Sequence, residues 1–106
     1  MRILISNDDG VFARGLEALV RELACDHELT IVAPDREQSA VSHGLTIRRP
    51  LFTSDWMVAD LPALGVSGTP ADCVKLGIDQ IMADSPPDLV LTGINNGPNT
   101  GINVFY

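Results

Sequence analysis

Two adjacent carboxylates, Asp8 and Asp9, stand between Asn7 and Gly10, directly after the run Ile3-Leu4-Ile5-Ser6. Neighbouring carboxylates repel each other and lose hydration unless a cation lies between them. Two further oxygen donors, the Ser39 hydroxyl and the Asn95 amide carbonyl, lie beyond other apolar runs. Two carboxylates, a hydroxyl and an amide oxygen suit a hard divalent cation (Mg²⁺, Mn²⁺ or Ca²⁺) and not zinc. Asn, Asp and Gly also build turns, so Asp8-Asp9-Gly10 reads equally well as a turn capping the next helix. Taken singly, Ser39 is an ordinary loop serine and Asn95 a turn former. His43 can donate a proton to a leaving oxygen, with an ordinary pKa of about 6.5, although a loop histidine more often faces solvent. Lys75 and Arg36 can meet a phosphate, yet single surface cations usually hold nothing specific.

The elements that must position these residues follow from hydrophobic spacing. Arg2 to Ser6 is a short apolar run of the kind buried on both faces of a parallel sheet. Leu16, Leu19, Val20, Leu23 and Ala24 repeat at helical spacing and predict a helix from Ala13 to Asp26. A second strand follows at Leu29 to Ala33, stopped by Pro34. Asp35 to Gly44 is polar and reads as a loop, or as a loop with a short helix. Leu45 to Arg49, parts of Leu51 to Leu61, and Leu64 to Ser67 read as extended pieces. Thr69-Pro70-Ala71-Asp72 is a helix start, with Thr69 to cap, Pro70 at the first position and Asp72 at the positive terminus. Val74, Ile78 and Ile81 supply its expected buried stripe, with Gly77 among them permitting close packing. Asp88 to Gly93 is a last buried strand, running into Ile94-Asn95-Asn96-Gly97-Pro98, which neither strand nor helix can continue.

Strand, helix, strand is the signature of a parallel α/β sheet. In such sheets ligands bind beyond the carboxyl ends of the strands. The Asn7–Gly10 turn, the Asp35–His43 loop and Asn95-Asn96 all fall there and are expected to converge on one rim. Three or four parallel strands with two helices leave much of a doubly wound sheet unbuilt, so residues 1–106 are expected to be the N-terminal portion of a single α/β domain, truncated at the C-terminus.

The formal charge of −7 argues against a sequence-independent grip on a nucleic-acid backbone. No apolar run approaches the roughly 20 residues that span a bilayer. Cys25 and Cys73 form neither a CxxC nor a zinc spacing; both read as small buried hydrophobes in a cytoplasmic protein.

Four segments in order, Ile5-Ser6-Asn7-Asp8-Asp9-Gly10, Ala33-Pro34-Asp35-Arg36-Glu37-Gln38-Ser39, Gly68-Thr69-Pro70-Ala71-Asp72-Cys73-Val74 and Thr92-Gly93-Ile94-Asn95-Asn96-Gly97, together resemble the survival protein E (SurE) family. The resemblance covers essentially the whole chain. It implies a Rossmann-like three-layer sandwich with a mostly parallel sheet, and a cytoplasmic 5'-nucleotidase that hydrolyses nucleoside monophosphates with one divalent metal cation. It carries the metal ligands onto Asp8, Asp9, Ser39 and Asn95, and implies a homodimer or homotetramer of the full-length protein. A Ser-Gly-Thr phosphate-binding segment is expected just past Tyr106.

The expected mechanism is metal-assisted hydrolysis of a phosphomonoester, with Asp8 as the catalytic base or orienting group and Asp9 chiefly a ligand. Asn7, Gly10, Ala40 and Asn96 are the expected phosphate contacts, and His43 the proton donor. Direct attack on phosphorus by an Asp is the mechanistic competitor. Two other classes compete. A phosphoacceptor signalling domain needs an acceptor Asp after its third strand and a Lys after its fifth, and neither is in place here. A nucleotide- or metal-binding module without turnover would respond differently to chelation.

Overall fold

The computed structural model describes residues 1–36 and 50–93, together with the backbone of 103–105. Its strands form one sheet in the order β3-β4-β2-β1-β5-β6. The strands are β1 (Arg2–Ser6), β2 (Glu28–Pro34), β3 (Thr53–Val58), β4 (Leu61–Val66), β5 (Leu89–Thr92) and β6 (Asn103–Phe105); the helices are α1 (Arg14–Leu23) and α2 (Pro70–Leu76). β4, β2, β1 and β5 run parallel, while β3 and β6 are antiparallel to β4 and β5.

The apolar run of β1 is buried on both faces, as its composition demands. Ile3 and Ile5 join Ile31 and Ala33 of β2, Leu91 of β5, and Leu16, Leu19 and Val20 of α1 in one core. Leu4 points the other way, joining Val32, Val66, Val90 and Cys73 of α2 in a second core. Alternation along a strand sends successive side chains to opposite faces, so a single run serves both layers. The result is the expected sandwich: a mostly parallel sheet with a helix on each face.

α1 is shorter at its end than the sequence predicts. It stops at Leu23, where Asp26 N–H and His27 N–H both donate to the Leu23 carbonyl. Cys25, Asp26 and His27 are poor helix formers, and the chain must reverse there into β2. Cys25 is exposed, against expectation, whereas Cys73 is buried.

The β3–β4 hairpin is the element that the sequence obscures. Its turn is Ala59-Asp60, both at positive φ (49° and 68°). Such turns normally announce themselves with Asn-Gly or Asp-Gly; here neither is present. The strand expected at Leu64–Ser67 therefore begins earlier, at Leu61, and the extended pieces expected between Leu51 and Leu61 become β3. The extended piece expected at Leu45–Arg49 lies outside the described residues.

α2 begins as the sequence predicts, with a full capping box: Asp72 N–H donates to Thr69 Oγ1 (3.2 Å) and Thr69 N–H to Asp72 Oδ2 (3.0 Å). Its continuation departs from expectation. Gly77–Ile81 is a π-helical turn, closed by Met82 N–H on the Gly77 carbonyl at 2.8 Å. The wider turn shifts the buried face, because i→i+5 bonding carries Met82 inward where regular helical spacing would have carried Ile81. Cys73, Gly77 and Met82 are buried, while Ile78 and Ile81 are exposed. Of the stripe expected at Val74, Ile78 and Ile81, Val74 packs half-buried against the second core, while Ile78 and Ile81 give way to Cys73, Gly77 and Met82.

Gly77 does permit close packing. A Cβ there would lie 2.8 and 2.9 Å from the two Cδ atoms of Leu4, which is completely buried in β1. Through that contact α2 presses directly on the strand that carries Asp8 and Asp9.

Candidate functional site

The chain passes from β1 to β2 on one side, and only after β4 returns across the sheet to place β5 on the other side of β1. The carboxyl end of β1 is therefore a topological switch point, where two neighbouring connections leave in opposite directions and open a crevice. Asp8 and Asp9 follow β1 at that point. Ser6 pairs with Thr92 at the ends of β1 and β5, and Gly93 N–H donates to the Ser6 carbonyl at 3.0 Å. On the other side, Val11 N–H donates to the Pro34 carbonyl, and Asp35 N–H to that of Val66, both at 2.8 Å. The ends of β1, β2, β4 and β5 thus share one rim.

The Asn7–Gly10 loop is closed from inside. Asn7 is completely buried, its Nδ2 donating to the Gly10 carbonyl (2.9 Å) and its Oδ1 accepting from Gly10 N–H (3.1 Å). Gly10 has φ 110°, a backbone conformation that side-chain-bearing residues rarely adopt. The next turn starts from the same carbonyl, which also accepts from Ala13 N–H at 3.1 Å, so the loop feeds α1 directly. Against this frame Asp8 is exposed and Asp9 half-buried. The Asn7 side chain bonds within the loop, to Gly10.

Asp8 and Thr92 sit at the rim end of a groove of about 880 Å³ that runs between α2 and β5. Its wall includes Pro70, Val74 and Lys75 from α2 and Val90 from β5. Lys75 accordingly lines the same groove as Asp8, a juxtaposition that sequence reading could not rank above chance. Arg36 is exposed and contacts Asp35 (Nε to Oδ1, 3.4 Å), a surface pair of little energetic weight.

Behind the loop lies a buried thiol. Burial pushes Cys73 from 9.0 up to about 12; the Asp72 and Asp35 carboxylates reinforce the shift and the nearby Ser6 hydroxyl opposes it. Ser6 is itself completely buried, and among the described residues its hydroxyl lacks a well-aligned hydrogen bond. A thiol held neutral in this way is structural and unreactive.

Ser39, Ala40, His43, Asn95 and Asn96 lie outside the described residues. Among the described residues no group of three His, Cys, Asp or Glu side chains could hold a metal ion. A cation at Asp8 and Asp9 therefore calls on other oxygen donors, which is the kind of set expected from Ser39 and Asn95. The donor chemistry fits a hard divalent cation, with two adjacent carboxylates on a braced loop at an open crevice. No helix among the described residues is long and apolar enough to cross a membrane.

A mostly parallel sheet with helices on both faces and an acidic pair at its switch point defines a Rossmann-like α/β protein. Residues 3–106 match the family described as "Survival protein SurE". The 5'-nucleotidase SurE of Carboxydothermus hydrogenoformans is 54% identical over the whole chain, which covers 41% of that protein. That of Pelotomaculum thermopropionicum is 53% identical, again with 41% of its length covered. The crystal structure of the SurE protein from Aquifex aeolicus superposes with a TM-score of 0.78 at 44% identity, covering 95% of this chain and 40% of that one. The chain belongs to the Survival protein SurE family, and spans about two fifths of the length of these relatives.

Proposed function

We propose that this chain supplies the metal-binding rim of a phosphomonoesterase that hydrolyses nucleoside 5'-monophosphates to nucleoside and phosphate. The observation that carries the reading is the acidic pair Asp8–Asp9, set on a braced loop at the switch point of the sheet. The activity named for the relatives supports it.

In this reading Asp9 is chiefly a ligand, and Asp8 a ligand that also orients or deprotonates the attacking water. Ser39 and Asn95 complete the ligand set. A bound divalent cation, Mg²⁺ or Mn²⁺ ahead of Ca²⁺, supplies Lewis-acid stabilisation of phosphoryl oxygens. In the same reading, backbone N–H groups around Gly10 and Ser39-Ala40, with Asn96, stabilise the equatorial oxygens, and His43 protonates the leaving oxygen. The protein is cytoplasmic, and its full-length form a homodimer or homotetramer, which light scattering after gel filtration would check.

Phosphate release from a panel of nucleoside monophosphates, with and without chelator, tests the reading. Release should stop on chelation and in Asp9→Ala. Release unaffected by both would sink the metal assignment. Metal binding without release would favour a binding module over an enzyme. Trapping an aspartyl-phosphate at Asp8 would replace the water mechanism with direct attack.

A further inference from the structure

We infer that Asn7 is a positioning residue for the metal site, bracing from within the loop that carries Asp8 and Asp9; this rests on the metal reading above. A connection that merely joined β1 to α1 would not need a buried side chain. Here the Asn7 amide is completely buried and both donates to and accepts from the same residue, Gly10. Buried polar groups are costly unless partnered, so the two bonds fix the amide and Gly10 together. The short ring they close contains only Asp8 and Asp9 between its ends.

The brace meets a specific electrostatic problem. Adjacent carboxylates repel, and in a free loop they would splay apart before a cation arrived. Holding both ends of the loop limits that splaying in advance, so binding has less ordering to do. Asn suits this position because its short side chain carries both a donor group and an acceptor group. Asp has the same shape, but would set an oxygen against the Gly10 carbonyl where Nδ2 now donates at 2.9 Å. Ala offers neither group.

The test is Mn²⁺ binding to this chain, followed by electron paramagnetic resonance, which needs no turnover. Asn7→Asp and Asn7→Ala should each weaken Mn²⁺ roughly tenfold or more, the usual scale for groups that orient ligands. Leu19→Ala, in the core on α1, controls for general destabilisation and should bind Mn²⁺ like the unsubstituted chain. Asn7 variants that fold and bind within about twofold of the unsubstituted chain would overturn the inference. Equal weakening in Leu19→Ala would do the same.

If the Asn7 variants do not fold, the unsubstituted chain still decides. Mg²⁺ should slow exchange of the Gly10 amide hydrogen, because a brace coupled to the cation must be tightened by it. An unchanged Gly10 rate in the presence of bound Mg²⁺ would refute the coupling. No Mn²⁺ binding by the unsubstituted chain would instead remove the metal reading itself, and the positioning role with it.

Discussion

Replacing Gly10 by Ala separates two physical causes at the heart of the candidate site. At φ 110° an added Cβ meets backbone strain of about 1–3 kcal/mol, whatever space surrounds it. It would also lie 2.8 Å from Phe12 Cε2 and 2.9 Å from Cζ, closer than real Cβ atoms come. The second effect is the smaller. Phe12 is 55% exposed, so its ring can swing outward. Doing so sacrifices mainly the tilted contact with Trp56, whose centroid is 6.2 Å away; such a pair is worth about 0.5–1.5 kcal/mol. The expected net loss is about 2 kcal/mol, or roughly 10 °C in melting temperature for a domain of this size. Urea unfolding of Gly10→Ala, Phe12→Ala and the double variant distinguishes the causes. If strain dominates, the double variant keeps most of the Gly10→Ala loss. A Gly10→Ala variant within about 0.5 kcal/mol of the unsubstituted chain, or one largely rescued by Phe12→Ala, would refute this reasoning.

Two further substitutions probe the α2 seam. Gly77→Ala gains about 1 kcal/mol in helix propensity but overpacks the buried Leu4 by about 1–3 kcal/mol, so a net loss near 1 kcal/mol is expected. Combined with Leu4→Ala, the loss should fall below the sum of the single losses in the same urea assay. Cys73 confers a pH dependence whose direction is fixed by its raised pKa. The thiol is at about 12 when folded, against 9.0 ordinarily. Its contribution is fully present below pH 9 and is lost as pH rises towards 12. At pH 10.5 the loss should be about 2 kcal/mol, and Cys73→Ala should flatten that limb of the stability curve. A thiol reagent at neutral pH should label the exposed Cys25 and spare Cys73.

The legible parts of this protein were those governed by local rules. The Thr69-Pro70-Ala71-Asp72 start was readable because a capping box needs only four consecutive residues. Ile3-Leu4-Ile5 announced a doubly buried strand because no exposed strand tolerates three consecutive apolar residues readily. The β3–β4 hairpin was not legible, since Ala59-Asp60 adopts positive φ without the glycine or asparagine that usually reveals it. Nor was the π-helical turn, whose effect is to exchange Ile81 for Met82 on the buried face.

At the site the same division holds. Reading residues in order identifies which types are available: the acidic pair after β1, the oxygen donors beyond it, and the order of motifs that marks the family. Where Asn7, Asp8 and Asp9 stand, and how buried each is, depends on the folded sheet. Strand order made the end of β1 a switch point, a property of the whole sheet that no local spacing encodes. Packing turned Asn7 inward onto Gly10, because burial obliges a polar side chain to find partners, and sequence alone does not say which groups become buried. Lys75 shares a groove with Asp8 for a similar reason: α2 is seated against β1 by the contact of Gly77 with Leu4, across more than seventy residues of chain.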